Sequence, residues 1–289
     1  MQKIIPSIWL EKEVEKTVEL YKNTFSNFQL ISENHYPDAS PRKAGEVMVV
    51  EAEIYGSRIN LFNGGDYFKL NPSISLSVWH NDKEEIKKLW KSLSKGKILM
   101  DLQKYDFGEF YGWCEDEFGV NWQLMYVQNS DPKLIPSIMF THHNYAKTAE
   151  AMKLYCNIFE NSKIEMTSPY GENNLNQKPD ALAHAEFVLE NQKFIAFDSG
   201  FDHQFDLNEA FSFIVNCDGQ EEVDKYWNYF TQNGGEESMC GWCKDKFGVS
   251  WQIVPKQLME AMSNPDPAKS SHAMQKMLGM KKIVISELE

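Results

Sequence analysis

The fold is decided by the stretch Gly112-Trp-Cys-Glu-Asp-Glu-Phe-Gly-Val-Asn-Trp-Gln123, which occurs again as Gly241-Trp-Cys-Lys-Asp-Lys-Phe-Gly-Val-Ser-Trp-Gln252. The two segments differ at only three positions. Upstream of each segment, two shorter matches occur in the same order: Lys3–Ile8 with Lys133–Ile138, and Leu20–Phe25 with Leu154–Phe159. Ordered matches of this kind indicate an internal duplication. The 289 residues therefore contain two diverged copies of one domain.

The copies are followed by a short tail. We place copy one at residues 1–128, copy two at 133–256 and a helical tail at 257–289. In the tail, Asp266 is suited to cap a helix, Pro267 to begin it and Gly279 to end it. We expect this helix to dock on its own domain, and a contact between two chains of a homodimer is the alternative.

Each copy shows the order strand, helix and three strands twice. In copy one, Ile4–Leu10 is a short apolar run, and Glu13–Phe25 has apolar residues at helical spacing. The order restarts with a strand at Ile74–Trp79 and an amphipathic helix at Asp82–Leu93. Copy two repeats the pattern but lacks the equivalent of Lys97–Phe110. The sequence predicts an α+β fold with mixed sheets.

The composition excludes several classes of function. The net charge of −13 argues against a nucleic-acid or membrane partner, because binding to phosphates needs a basic surface. The chain begins without a signal-like apolar run and has no stretch of about 20 apolar residues. Its five cysteines are irregularly spaced. We therefore expect a cytoplasmic protein with reduced thiols.

The repeated βαβββ order and the Trp-Cys, Asp, Phe-Gly-Val and Trp-Gln signature resemble a known family. It is the PhnB-like, or 3-demethylubiquinone 3-methyltransferase-like, group of the glyoxalase, bleomycin-resistance and vicinal-oxygen-chelate superfamily. The resemblance implies tandem glyoxalase-like domains, each built from two βαβββ modules whose curled sheets enclose a cavity. It also implies a pseudo-dimer within one chain, with one cavity per copy.

Metal-binding relatives in this superfamily use His, Gln and Glu side chains on the inner faces of the strands. The resemblance places those positions at Ser73, Gln123, Ala210, Gln252, Pro6 and Pro136. Serine, alanine and proline do not replace imidazole, and an amide oxygen is a weaker ligand than a carboxylate. We therefore expect neither a metal nor another cofactor.

Two further groups have metal-like spacing. His142 and His143 are adjacent, so on an extended chain they point to opposite faces. Cys240 and Cys243 have redox spacing, but copy one has Tyr111 in place of the first cysteine. We interpret the histidine pair as part of a solvated loop and the cysteines as unrelated thiols.

Strand alternation predicts the residues that line the cavities. The predicted ligand-binding residues are Ser73, Ser75, Trp113, Asn121 and Gln123 in copy one, and Ser212, Trp242, Ser250 and Gln252 in copy two. Polar groups on a concave sheet need partners, which suits a pocket for a small organic ligand. A water-filled groove with internal hydrogen bonds is the alternative.

One pair suggests catalysis instead. His184 and Glu186 are two residues apart on a predicted strand and could transfer protons as acid and base, whereas copy one has Val49 and Glu51 there. The alternatives are an enzyme of the lyase, isomerase or dioxygenase type, a metal site elsewhere, or a structural histidine. An S-adenosylmethionine methyltransferase is not expected, since the sequence has no G-x-G-x-x-G-like loop.

Overall fold

The computed structural model describes residues 2–37, 40, 42–174 and 176–288. Met1 and Glu289, the outer limits of the predicted domains, lie outside these ranges. The described residues form four βαβββ modules, two from each copy. This confirms the predicted α+β architecture.

Copy one contains modules 1 and 2. Module 1 comprises β1 (Ile4–Leu10), α1 (Val14–Thr24), β2 (Gln29–His35), β3 (Val47–Ile54) and β4 (Ser57–Asn63). Module 2 comprises β5 (Ile74–His80), α2 (Lys83–Leu93), β6 (Ile98–Tyr105), β7 (Gly108–Glu115) and β8 (Asn121–Tyr126).

Copy two contains modules 3 and 4, followed by the tail. Module 3 comprises β9 (Lys133–Phe140), α3 (Thr148–Ile158), β10 (Lys163–Pro169), β11 (Leu182–Leu189) and β12 (Gln192–Asp198). Module 4 comprises β13 (Phe211–Cys217), α4 (Gln220–Gln232), β14 (Glu236–Glu237), β15 (Trp242–Lys244) and β16 (Ser250–Pro255). The tail adds α5 (Lys256–Met262) and α6 (Pro267–Leu278). The sequence predicted α6 but not α5.

The strands form two eight-stranded sheets, and each sheet takes one module from each copy. Sheet one has the order β14-β15-β16-β13-β1-β4-β3-β2, and sheet two has the order β10-β11-β12-β9-β5-β8-β7-β6. The copies meet where β1 pairs antiparallel with β13 and where β5 pairs antiparallel with β9. The expectation of one cavity per copy was therefore wrong, because each concave surface is shared between the copies.

The helices cover the opposite face of each sheet. Strand residues that point to the helices are mainly apolar and belong to one continuous core, as Leu76 and Trp122 in copy one and Phe213 and Trp251 in copy two illustrate. Asn63 and Asp198 are polar exceptions, which accept from backbone N–H groups at the starts of α1 and α3. The buried core is therefore continuous across both copies.

The aspartate of the repeated signature has a structural role. Asp116 accepts hydrogen bonds from the Trp122 indole, the Tyr21 hydroxyl and the backbone N–H groups of Phe118 and Val120. Since Tyr21 belongs to α1, these bonds tie module 1 to module 2. Asp245, Tyr155 and Trp251 repeat the arrangement in copy two. The signature thus identifies the fold rather than a reactive group.

The tail docks on module 4, as the sequence predicted. The Asp266 carboxylate accepts from Ala268 N at the start of α6, and the backbone of Gly279 ends the helix. Beyond α6, Gln220 at the start of α4 donates to the carbonyl of Ile283 and accepts from the N–H of Ile285. None of the helices in the described ranges is long and apolar enough to cross a membrane.

Candidate ligand-binding site

The two concave faces are built on the same plan. In each sheet a pair of serines faces across the junction between the copies: Ser7 with Ser212 in sheet one, and Ser75 with Ser137 in sheet two. Each sheet also has a glutamine from the signature beside its serine pair. Gln252 donates to Ser212 Oγ at 2.9 Å, and Gln123 donates to Ser75 Oγ at 2.8 Å.

The face of sheet two is closed around its glutamine. The Gln123 amide also donates to Ser137 Oγ at 3.3 Å, and its carbonyl accepts from the Tyr111 hydroxyl at 2.8 Å. The Gln123 side chain is buried, with 7% exposure. Its hydrogen-bonding groups are therefore used within the protein, so it offers little to a ligand.

Apolar side chains fill the rest of this face. Trp113 lies on β7 and Phe197 on β12, four strand spacings apart, and a flat sheet would separate them by about 19 Å. Their ring centroids are 6.0 Å apart, because the sheet curls and the side chains meet across it. Tyr111 and Met139 are buried in the same cluster.

Strand length explains this closure. In sheet two, β6 and β7 have eight residues each, whereas the corresponding β14 and β15 of sheet one have two and three. The longer hairpin brings Tyr105 and Phe107 against Tyr111, with ring centroids 5.9 and 5.1 Å away. The stretch Lys97–Phe110, which only copy one has, therefore covers the face of sheet two.

Sheet one leaves its glutamine available. Gln252 is partly exposed, and the described residues provide no donor to its Oε1. The position that aligns with Tyr111 is Cys240, which lies outside β15 with φ of 59° and has no phenol to donate. The same side chain that is fully bonded in sheet two thus keeps a free carbonyl in sheet one.

Two tryptophans lie on the same face of sheet one as Gln252, and one of them, Trp242, is its cross-strand neighbour. Trp9 on β1 and Trp242 on β15 approach with ring centroids 6.0 Å apart, and both are partly exposed. The Trp9 indole donates to the carbonyl of Gly65 at 2.6 Å, which fixes the ring. A Cβ on Gly64 would lie 2.0 Å from that ring, so the close approach requires glycine.

Further polar atoms on sheet one have no partner. Asn60 Nδ2 donates to Ser7 Oγ at 3.2 Å, but the buried Asn60 Oδ1 and Ser250 Oγ make no hydrogen bond to any residue that the structure describes. The residue that aligns with Asn60 in sheet two is Ile195, which lies in an apolar cluster. Unpartnered polar atoms are costly to bury, and the described part of sheet two also has them, at Trp113 Nε1 and Asn121 Oδ1. Those of sheet one favour a bound polar molecule because they share a face with the Gln252 carbonyl.

A cavity of about 110 Å³ opens beside Trp242 and Ser250. Its rim is acidic, with Glu209, Glu236 and Glu237 against the single lysine Lys244. Lys244 pairs with Glu209 at 2.7 Å, and Lys281 pairs with Glu237 at 3.2 Å, which leaves an excess of one negative charge at Glu236. The rim therefore disfavours anionic ligands.

A wider cleft of about 400 Å³ lies where the β3–β4 hairpin meets the β11–β12 hairpin. Lys193 in its wall is already bonded to Glu165 at 2.8 Å and to Glu186 at 2.5 Å. Among the described residues that line this cleft, Tyr55 of the β3–β4 hairpin is the aromatic one, and none of the tryptophans of the concave faces takes part. We therefore regard the sheet-one face as the better candidate, despite the smaller cavity beside it.

His184 and Glu186 do share one face, with His184 Nε2 3.3 Å from Glu186 Oε1. They lie on β11 of sheet two, so they join the face of Gln123 and not that of Ser212 and Gln252. Glu186 is bonded to Lys193, and Glu51 is bonded to Arg58 at 2.6 Å at the aligned position of copy one. A pair present in both copies indicates that Glu186 has a structural role.

The predicted site residues thus fall into two separate groups. Sheet two holds Ser73, Ser75, Trp113, Asn121 and Gln123, whereas sheet one holds Ser212, Trp242, Ser250 and Gln252. Ser212 pairs directly with Ser250, and Trp242 pairs with Gln252. Asn121 donates to the carbonyl of Gly119, and Ser73 is buried just before β5.

Sequence reasoning missed three important residues: Trp9, Asn60 and Tyr111. Aligning the copies could have found them. Trp9 aligns with Met139, Asn60 with Ile195 and Tyr111 with Cys240, so each differs in chemistry between the two sheets.

The residues at the metal positions of glyoxalase-like relatives do not fit a metal. Gln123 is engaged by Ser75, Ser137 and Tyr111. Gln252 offers only a neutral amide oxygen, and the other four positions carry serine, alanine and proline. Within the described ranges no three His, Cys, Asp or Glu side chains come together as a metal-binding group.

The histidine pair and the cysteine pair that have metal-like spacing do not form metal sites either. His142 lies 3.1 Å from the carbonyl of Phe205, and His143 lies 3.5 Å from Asp206. The two histidines form a short 3-10 turn with different partners. All five cysteines are free, and burial raises the pKa of Cys243 well above its usual range. Burial also raises the pKa of Cys240, which makes both thiols poorly reactive.

The profile of the family described as 3-demethylubiquinone-9 3-methyltransferase matches residues 2–125 and, a second time, residues 132–254. The chain belongs to this family. Each of its two copies is one family domain with two modules. Each of the two sheets combines one module from each copy. The tail lies beyond the match.

The chain is also similar to several solved structures. A PhnB protein from Bacillus cereus is 29% identical over 44% of this chain and 100% of its own length, with a TM-score of 0.41. A glyoxalase I variant from Zea mays is 11% identical over 88% of this chain and 94% of its own, with a TM-score of 0.56.

A Bacillus subtilis protein whose assignment as a dioxygenase is provisional is 8% identical over 86% of this chain and 83% of its own, with a TM-score of 0.52. At such low identity the last two structures show a shared fold only. No curated protein matches the chain.

Proposed function

We propose that the chain binds a small, planar, partly aromatic molecule on the concave face of sheet one, without a metal. One observation carries the proposal: the Gln252 carbonyl is free in sheet one, whereas the Gln123 carbonyl is bonded to Tyr111 in sheet two. Of two faces built on one plan, only one keeps its central polar group for another molecule.

The surrounding atoms define the class of ligand. Gln252 Oε1 and Asn60 Oδ1 are acceptors, so they call for N–H or O–H groups on the ligand. The partly exposed ring of Trp242 offers a surface to an aromatic ligand. Trp9 already packs against Phe62 and Phe68, with ring centroids 5.2 and 5.1 Å away, so it supports the Trp242 ring. With the acidic rim, these features favour a neutral or cationic aromatic amide, amidine or phenol over a carboxylate.

The proposal is tested with three probes of one shape: benzamide, benzamidine and benzoate, titrated into the full chain by calorimetry or NMR. We expect benzamide and benzamidine to bind, and benzoate to bind at least about tenfold more weakly, because a carboxylate faces acceptors and an acidic rim. S-adenosylmethionine is titrated in parallel, because the family description names a methyltransferase.

Variants locate the binding. Trp242→Ala and Gln252→Ala should each weaken benzamide binding about three- to tenfold, the effect of one aromatic contact or one hydrogen bond. His184→Ala, on the other sheet, is the matched control and should leave the affinity unchanged. The proposal would be contradicted if Trp242→Ala and Gln252→Ala both bound benzamide as tightly as the parent chain, or if only His184→Ala lost affinity.

A further inference from the structure

The C-terminal tail is an addition to the family fold. The family match ends at residue 254, whereas the chain continues through α5 and α6 to a docked terminal segment. The tail therefore lies outside the family domain but packs against it, and its role is not given by the family fold.

The tail packs on the same side of sheet one as Gln252. Val254 follows Gln252 by two residues on β16, so both side chains point to the concave face. Val254 packs against a cluster that contains Leu258 of α5 and Met277 of α6. The backbone of Gly241, next to Trp242, donates to the carbonyl of Lys281 at 2.7 Å.

One face of α6 is buried beyond what this cluster explains. Ser270, Ala273, Met274 and Met277 follow helical spacing, and the first three are 8%, 0% and 3% exposed. Ala273 and Met274 belong neither to the tail cluster, which contains Leu258 of α5, nor to the main core. Their burial shows that this side of α6 packs against a further surface of the protein.

We propose that the α5–α6 hairpin covers the concave face of sheet one at its Val254 end and controls the entry of ligand to the face. Sheet two is covered by its long β6–β7 hairpin, whereas sheet one has only the short β14 and β15 there. The tail takes the place of the missing hairpin. Methionines such as Met274 and Met277 suit a cover that repacks, because their side chains are flexible.

The control of ligand entry rests on the proposed function, but the cover itself does not. The test therefore begins with a measurement that needs no ligand. Ala273→Glu puts a carboxylate on the buried side of α6, and Gln275→Glu puts the same group on its exposed side as the matched control.

Hydrogen exchange of residues 267–278 should accelerate at least about tenfold in Ala273→Glu, because an unpaired buried charge releases the helix. Acrylamide quenching of Trp242 fluorescence, taken as the difference from Trp242→Phe, should rise about twofold as the partly exposed ring becomes more accessible to solvent. Neither value should change in Gln275→Glu. A second variant, Ala273→Glu with Met274→Glu, repeats the measurement with two charges.

The entry of ligand is then followed by stopped flow with 4-nitrobenzamide, whose nitro group quenches tryptophan. We expect faster association in Ala273→Glu than in Gln275→Glu. Two results would overturn the proposed cover. One is faster hydrogen exchange of α6 without a change in the quenching of Trp242, and the other is unchanged exchange in Ala273→Glu and in the double variant. Greater exposure of Trp242 with no binding of 4-nitrobenzamide in any variant would support the cover and refute the proposed function.

Discussion

The hydrogen bond between a buried tyrosine and the signature aspartate gives a prediction that both copies can test. The hydroxyl of Tyr21 donates to Asp116 Oδ2 at 2.9 Å, and that of Tyr155 donates to Asp245 Oδ2 at 2.7 Å. Both tyrosines are almost fully buried. Removing either hydroxyl by Tyr→Phe deletes one bond to a charged group, which costs about 1.5–3 kcal/mol of unfolding free energy.

The assay is urea unfolding followed by far-ultraviolet circular dichroism. Tyr21→Phe and Tyr155→Phe should shift the midpoint to lower urea without changing the slope. Tyr67→Phe makes the same chemical change at a side chain that is 80% exposed, and it should stay within about 0.5 kcal/mol of the parent. If both buried variants behaved like Tyr67→Phe, the signature aspartates would not hold the modules together.

The free-energy cost of Tyr21→Phe should depend on pH, because the bond is made to an ionisable group, Asp116. Burial raises the pKa of Asp116 to about 6, above its unfolded value, although its hydrogen bonds act in the opposite direction. As the pH falls from 8 to 5, the folded protein takes up this proton before the unfolded chain does, so this group adds stability over that range. The bond from Tyr21 is then made to a neutral acid, so the cost of Tyr21→Phe should fall to about 1 kcal/mol at pH 5.

Other predictions concern the two faces. Gly64→Ala should destabilise the fold by about 1–3 kcal/mol and weaken benzamide binding, because its Cβ collides with the Trp9 ring; urea unfolding and calorimetry check both effects. Tyr111→Phe should lower the unfolding free energy by about 1 kcal/mol, since the Gln123 carbonyl loses its buried donor; urea unfolding measures this, and an unchanged midpoint would refute it. His184→Ala should leave the benzamide affinity of the chain unchanged in calorimetry, because His184 lies on sheet two.

The sequence was sufficient to predict the modules but not their assembly. Apolar spacing and the repeated signature predicted each βαβββ module, because these patterns are local to the chain. They could not show that β1 pairs with β13 and β5 with β9, since pairing between distant strands leaves no local pattern. That pairing explains why His184 lies with Gln123 and not with Gln252.

The candidate site was predicted in part for a similar reason. Strand alternation brought Ser212 and Gln252 to one face, and the structure joins them by a hydrogen bond. Alternation could not show that Tyr111 bonds to Gln123 and that Gln252 has no such donor, since this depends on the geometry of β7 and of the turn at Cys240. An alignment of the two copies shows that Tyr111 is replaced by Cys240. The structure shows that this replacement removes the hydrogen-bond donor from the glutamine carbonyl.

The most direct test of the ligand-binding proposal is a crystal structure of the full chain with 4-bromobenzamide, located by the anomalous signal of bromine. We predict one strong peak at the concave face of sheet one, with the ligand amide nitrogen about 2.9 Å from Gln252 Oε1. A peak on sheet two beside Gln123, or only in the cleft between the β3–β4 and β11–β12 hairpins, would contradict the proposal.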